Sequence, residues 1–267
     1  MTETLYKSAQ GEASLKTAIR YPTVAAAVSR LPSHPSDERA FWKNAFGAVC
    51  VKLQEKTLSS HFLPITERQS GDVLGHFAIA SGELGQSESL DFNQLDDVPF
   101  VATDRLLRAL HTLNYFGRFD APVRLFLDVN HRFLSSVAEN HGAAFRGLVE
   151  SLGLAAHHFV IQVVVSNQAE FNTYAFAADN YRRNGFSTSL YCRHIEQIHG
   201  LIGQIRPDFL TFDLDNDCSV DQIRNMVLHA RDFHVQLIGK GSIDHARMHE
   251  LQLAGIRFFN FEKSGSS

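Results

Sequence analysis

From residue 103 to 261 two apolar periods take turns along the chain, and that alternation restricts the fold more than any other feature. Helical spacing puts Leu106, Leu107, Leu110 and Leu113 on one face and predicts a helix over 103–116 with Thr103 as its cap. A strand over 124–129 follows, then a helix around 142–152 that ends at Gly153. The run 159–165 is the most β-branched in the chain and reads as the next strand. A helix ending near Gly185, a strand over 186–190 and a helix leading to Pro207 continue the pattern. A strand over 209–212 comes next, and Ser219 and Gln222 then form a capping-box pattern that opens another helix. A strand over 235–239, a helix from about Asp244 to Gly255 and a strand over 257–261 complete the series. Six strands separated by helices require a parallel sheet covered by helices.

Two further strands precede this region, over 62–65 and 73–80. Only a short polar turn around Ser70 and Gly71 separates them, so they are expected to pair antiparallel. Eight strands in this order predict a (β/α)8 barrel of TIM type with an irregular, antiparallel first strand. An open doubly wound sheet is the alternative. Residues 1–40 read as an N-terminal extension, with helical turns at Ala18-Ile19 and over 24–28 interrupted by Pro22, and a linker over 31–36. Ser36 then reads as the cap of a helix whose apolar face is Phe41, Ala45, Phe46, Val49 and Leu53. The barrel is expected over 41–267, with a polar loop over 81–97.

Composition narrows the function. A 44% apolar fraction in 267 residues suffices for one sizeable core. A net charge of −4 leaves no basic footprint for nucleic acid or a membrane surface. Cys50, Cys192 and Cys218 are odd in number and far apart, which fits a reducing compartment and gives no C-x-x-C site. With no signal-peptide pattern and no apolar run near ~18 residues, the expectation is a soluble cytoplasmic protein.

The stretch 204–217 looks most like chemistry, because Asp213, Asp215 and Asp217 leave the end of a buried strand at alternate positions. It is not a calcium loop of the helix–loop–helix kind: the sixth position is Cys218 where a glycine must turn, and the twelfth is Arg224 where a bidentate glutamate must bind. His245 and His249 are four apart on a helix but lack the H-E-x-x-H frame, and His157-His158 belongs to the loop before a strand. The segment Gly239-Lys240-Gly241-Ser242 resembles the tail of a phosphate loop without its upstream glycine. Ser81-Gly82 and Ser264-Gly265 lack the G-x-S-x-G frame of a nucleophile elbow.

Several motifs, in order, resemble the EAL-domain family. Phe62-Leu63-Pro64-Ile65 is similar to its Y-Q-P-I strand, and Gly75-His76-Phe77-Ala78-Ile79 falls where G-x-E-A-L belongs. Leu125-Phe126-Leu127-Asp128-Val129-Asn130 resembles L-x-V-N-x-S, and Asn180 to Phe186 resembles the lead-in to D-D-F-G. Pro207 to Asp213 resembles P-D-x-x-K-I-D, Ile238-Gly239-Lys240-Gly241 the A-E-G-V-E strand end, and Ala254 to Asn260 the final L-G-x-x-x-x-Q. The resemblance covers residues 41 to 262. It implies a (β/α)8 barrel whose relatives hydrolyse the bacterial messenger cyclic di-GMP with two hard metal ions held by carboxylates and amides.

The site residues implied by the resemblance are largely replaced. Phe77 stands at the motif glutamate, Asp128 at the ligand asparagine, Gln162 and Val165 at the next glutamates, and Tyr191-Cys192 at the aspartate pair. Thr211 stands at the lysine, Lys240 at the A-E-G glutamate and Asn260 at the final glutamine. Asp128, Asp213 and Asn260 keep an oxygen ligand, whereas a Lys240 ammonium would repel a cation ~4 Å away by about 1–4 kcal/mol. The expectation is therefore an inactive EAL-like barrel without metal or cofactor. It would act through an unidentified regulatory protein partner in cyclic di-GMP-related signalling. A non-hydrolysing cyclic di-GMP receptor is the alternative, and an active phosphodiesterase the third reading. The ligand-binding residues expected at the barrel mouth are Asp128, Asp213, Lys240 and Asn260. By resemblance, a homodimer is expected.

Overall fold

A computed structural model of the chain describes residues 21–37, 40–82, 100–120, 122–129, 141–165, 171–193, 198–214 and 218–261. Its strands are β1 (Trp42–Lys43), β2 (Val49–Leu53), β3 (Lys56–Glu67), β4 (Val73–Gly82), β5 (Leu125–Val129), β6 (Phe159–Val165), β7 (Ser187–Cys192), β8 (Phe209–Asp213), β9 (Gln236–Lys240) and β10 (Phe258–Asn260). Its helices are α1 (Pro22–Ser29), α2 (Phe100–Arg118), α3 (His141–Ser151), α4 (Phe171–Arg183), α5 (Ile198–Ile205), α6 (Val220–Asp232) and α7 (His245–Ala254).

Strands β4 to β10 run parallel in chain order. Strand β3 is antiparallel to both β4 and β10, and its pairing of Glu67 with Phe258 and Thr66 with Phe259 closes the ring. The fold is the expected eight-stranded barrel with an antiparallel first strand, so the open-sheet alternative is discarded. Among the described residues no helix is long and apolar enough to cross a membrane.

The helix expected from Ser36 through Leu53 is instead a β-hairpin. Asn44 overrides the helical spacing: its Oδ1 accepts from the backbone N–H groups of Phe46 and Ala48, both at 3.0 Å, and Gly47 takes the left-handed φ of 78°. The run Val49-Cys50-Val51 then favours an extended strand. Asn114 of α2 fastens that strand, accepting from the Val49 N–H and donating to the Val49 carbonyl, each at 2.8 Å. Phe46, assigned to a buried helical face by spacing, is 85% exposed at the hairpin tip.

Other signals held, with small shifts. Ser219 and Gln222 form the reciprocal capping box of α6, and Asp244 caps α7 by accepting from the Arg247 N–H at 2.7 Å. Gly255 ends α7 at φ 109°, where a Cβ would also lie 2.8 Å from a Val227 methyl. Pro22 does not interrupt a helix but opens α1, where a missing N–H costs nothing. Tyr21 and α1 lie against the barrel: Val24 is fully buried, and the Tyr21 hydroxyl is 3.0 Å from His158 Nε2.

Two apolar cores result. The larger fills the space between strands and helices, with Phe145, Phe159, Tyr181 and Phe186 among its rings. The smaller plugs the barrel itself with Ile65, Phe77, Phe126, Val160, Phe209 and Ile238. This plug is the floor on which the candidate site stands.

Candidate functional site

Side chains alternate across a strand, so the plug residues show which positions point into the barrel. Phe126 implies Asp128, Val160 implies Gln162, Phe209 implies Thr211 and Asp213, and Ile238 implies Lys240. Phe258, which packs on the plug, implies Asn260 by the same step. These inward positions lie toward the C-terminal ends of parallel strands, the end at which barrels of this type build their sites.

Above the plug lies a polar belt centred on Gln162. Its Nε2 donates to Asp128 Oδ1 at 2.7 Å, while its Oε1 accepts from Ser189 Oγ at 3.0 Å and Thr211 Oγ1 at 2.7 Å. Two hydroxyl donors at the oxygen end fix which way the amide points. Gln162, Ser189 and Thr211 are all buried, and each takes part in this hydrogen-bonded belt, as burial demands.

Nearer the opening, the Tyr191 hydroxyl lies 2.8 Å from Asp213 Oδ1 and 3.0 Å from Oδ2, so its one proton serves both carboxylate oxygens. Burial, and then the bond and charge of Asp213, raise the Tyr191 pKa and keep that proton in place. Lys240 Nζ lies 5.0 Å from the centre of the Tyr191 ring, within cation–π range. Asp128 is open to water in the mouth but ringed by protein. Burial raises its pKa, against the opposing effects of the Gln162 bond and the Lys240 charge.

Asn260 is fully buried on the neighbouring strand, where its Nδ2 donates to the Pro64 carbonyl at 2.9 Å across the closing seam of the barrel. Its Oδ1 has no hydrogen-bond partner among the described residues. All four residues expected at the mouth thus point into one barrel end. Asp213, Lys240 and Asn260 stand side by side in register. Asp128 is joined to them through Gln162 and Thr211.

Other expected positions fall elsewhere. Val165 and Cys192 face the helices rather than the barrel interior, and burial pushes the Cys192 thiol up to about 12. Phe77 belongs to the plug, with its ring 5.1 Å from that of Phe126. His157 and His158 precede β6 at the opposite barrel end, and His245 and His249 are exposed on α7. Asp215 and Asp217 lie outside the described residues. Ser189 was not legible as a site residue; an inward period of two through Ser187, Ser189 and Tyr191 is the signal that marks it.

The donor set of the described residues does not suit a divalent ion. Among the described residues no three His, Cys, Asp or Glu side chains gather where they could hold one. The Tyr191 proton occupies Asp213, the Gln162 amide occupies one oxygen of Asp128, and Lys240 adds a positive charge. Hard cations require several free oxygen ligands, usually carboxylates.

No protein-family profile matches the chain and no curated protein matches it in sequence. Solved structures do match in fold. The YkuI protein of Bacillus subtilis, which has an EAL domain and was solved with cyclic di-GMP and calcium, superposes with a TM-score of 0.62 at 20% identity, covering 76% of this chain and 53% of that one. The FimX EAL domain of Xanthomonas citri with cyclic di-GMP gives 0.62 at 16% identity over 76% and 85% of the two chains. A standalone EAL protein from Vibrio cholerae bound to cyclic di-GMP gives 0.62 at 14% identity over 78% and 91%. The chain spans about half the length of the Bacillus protein. At these identities the likeness is one of fold: the chain has the EAL-type barrel.

Proposed function

We propose that this chain is a non-hydrolysing barrel of the EAL type that acts in cyclic di-GMP-related signalling by binding a regulatory protein. The observation that carries the reading is the clasp on Asp213, whose two oxygens share the Tyr191 proton while the Lys240 ammonium lies over the same ring. Metal-assisted hydrolysis needs an ion that polarises the phosphoryl oxygen and lowers the pKa of its bound water. An ammonium supplies charge but has no coordination sphere in which to hold a water and a phosphate together. The strands below this mouth close into a complete ring, and outside the barrel the β1–β2 hairpin holds Phe46 out to solvent, an anchor of the kind that protein partners bury.

Receptor function is the second reading, favoured by the pairing of a lysine with an aromatic ring at the mouth, groups that meet phosphate and base. Calorimetry separates the two. Titration of the full chain with cyclic di-GMP, with and without magnesium or calcium, is expected to give no heat at high micromolar nucleotide. Heat that disappears on Lys240→Glu substitution would establish the receptor instead. For the protein partner, affinity capture with the full chain is expected to retain a regulator that the Phe46→Asp variant loses at least tenfold. Equal capture by both would remove the hairpin from the contact.

A further inference from the structure

Asp213, Lys240 and Asn260 occupy matched register positions on three consecutive parallel strands. Adjacent strands lie about 4.8 Å apart, so the three inward side chains form a row at one height across the mouth. Its two end residues each carry oxygen: the Asp213 carboxylate and the Asn260 carboxamide. The Asn260 end is unsatisfied. Asn260 is 0% exposed, its NH2 group is committed to the Pro64 carbonyl, and its Oδ1 accepts from none of the described residues. A buried acceptor without a donor is rare and asks for an electropositive partner. The Lys240 ammonium beside it does not fill that role, since it lies over the Tyr191 ring.

Resting on the closed-mouth reading above, we propose that Lys240 is the resident cation of this row and the residue that keeps a divalent ion out. Its tethered positive charge serves Asp213 and Asp128 in place of a metal. Its side chain stands between the two in register, at a position from which a third oxygen ligand would complete a set with Asp213 and Asn260. Substituting Lys240→Glu removes the charge and supplies that ligand. The resulting row of two carboxylates and an amide oxygen suits calcium or manganese, hard ions that accept mixed carboxylate and carbonyl ligands and can keep waters. The Tyr191 proton is shared by both Asp213 oxygens and leaves a further lone pair on each.

The test is calorimetric titration of the full chain with calcium and with manganese, alongside melting temperature in chelator and in millimolar metal. Wild type is expected to show no heat and no shift. Lys240→Glu is expected to bind at least tenfold more tightly than wild type and to melt higher with metal, as ligand linkage requires. Adding Asp213→Asn to that variant is expected to lower the affinity at least tenfold, and unchanged affinity would overturn the row. Should Lys240→Glu fail to fold, Lys240→Gln tests the same point, since it removes the charge and offers an amide oxygen. A folded variant of either kind that binds no better than wild type overturns the inference while leaving the proposed function standing. Metal binding by wild type itself would overturn both.

Discussion

Replacing Arg108 with alanine is expected to cost about 3–5 kcal/mol of folding stability, the range seen when one partner of a buried ion pair is removed. Arg108 is 3% exposed, although it sits outside the leucine face of α2. It bonds the carboxylate of Asp104 one turn earlier, donates to the Tyr181 hydroxyl of α4 at 3.2 Å, and stacks over the Phe145 ring of α3 at 5.1 Å. One guanidinium therefore ties three helices of the outer layer together. Its removal takes the guanidinium away from the Asp104 carboxylate, which is 8% exposed. Urea denaturation should show the midpoint falling by about 1–2 M, for a slope near ~2.5 kcal/mol/M. The double change Asp104→Leu with Arg108→Met should recover much of the loss, because apolar side chains of similar volume replace a buried pair at little cost. A loss below about 1 kcal/mol for Arg108→Ala would mean the pair behaves as a solvated surface bridge.

Acid should weaken the fold through His111. Burial lowers its pKa to about 4 from the ordinary 6.5. Ser60 Oγ accepts from Asn114 Nδ2 at 3.1 Å and lies 2.8 Å from His111 Nδ1, where a neutral ring with its proton on Nε2 accepts the Ser60 proton. A second ring proton would displace that bond. As pH falls below 6.5 the unfolded chain takes up a proton that the folded chain refuses. Stability is therefore lost between about 6.5 and 4 and levels off below that. A shift of this size corresponds to roughly 3 kcal/mol. Unfolding curves at pH 7 and pH 4.5 should show this loss in wild type and a smaller one in His111→Gln, whose amide oxygen can still accept from Ser60. Equal pH dependence in the two proteins would contradict the assignment.

Neither effect is written in the hydrophobic pattern, and the reason is general to this chain. Periodicity located the barrel strands and the helices between them because a parallel barrel buries whole apolar runs such as 159–165. Caps and terminators located ends, as Ser219, Asp244 and Gly255 show. Periodicity failed where local side-chain chemistry outweighed it. The Asn44 carboxamide turned a stretch with helical spacing into a hairpin, and no count of apolar residues contains that bond. Arg108 and His111 are polar residues buried by neighbours distant in sequence, and only the assembled helices and strands bring Tyr181 and Ser60 to them.

The mouth divides in the same way. Asp128, Asp213, Lys240 and Asn260 could be named from motif order, and strand alternation brings all four inside the barrel. What joins them could not be named. Gln162 reaching Ser189 and Thr211, and Tyr191 closing on Asp213, depend on the register of three strands. Val165 and Cys192 went astray for the opposite reason: a motif position one residue out of phase on a strand faces the helices.

The central claim is that this mouth does not hydrolyse cyclic di-GMP, and a product assay tests it most directly. The full chain would be incubated with cyclic di-GMP and excess magnesium or manganese, and the linear dinucleotide sought by chromatography. The account predicts no linear product above the enzyme-free control. Linear product that forms in proportion to protein, and that Asp213→Asn abolishes, would contradict it and make this mouth a working catalytic site.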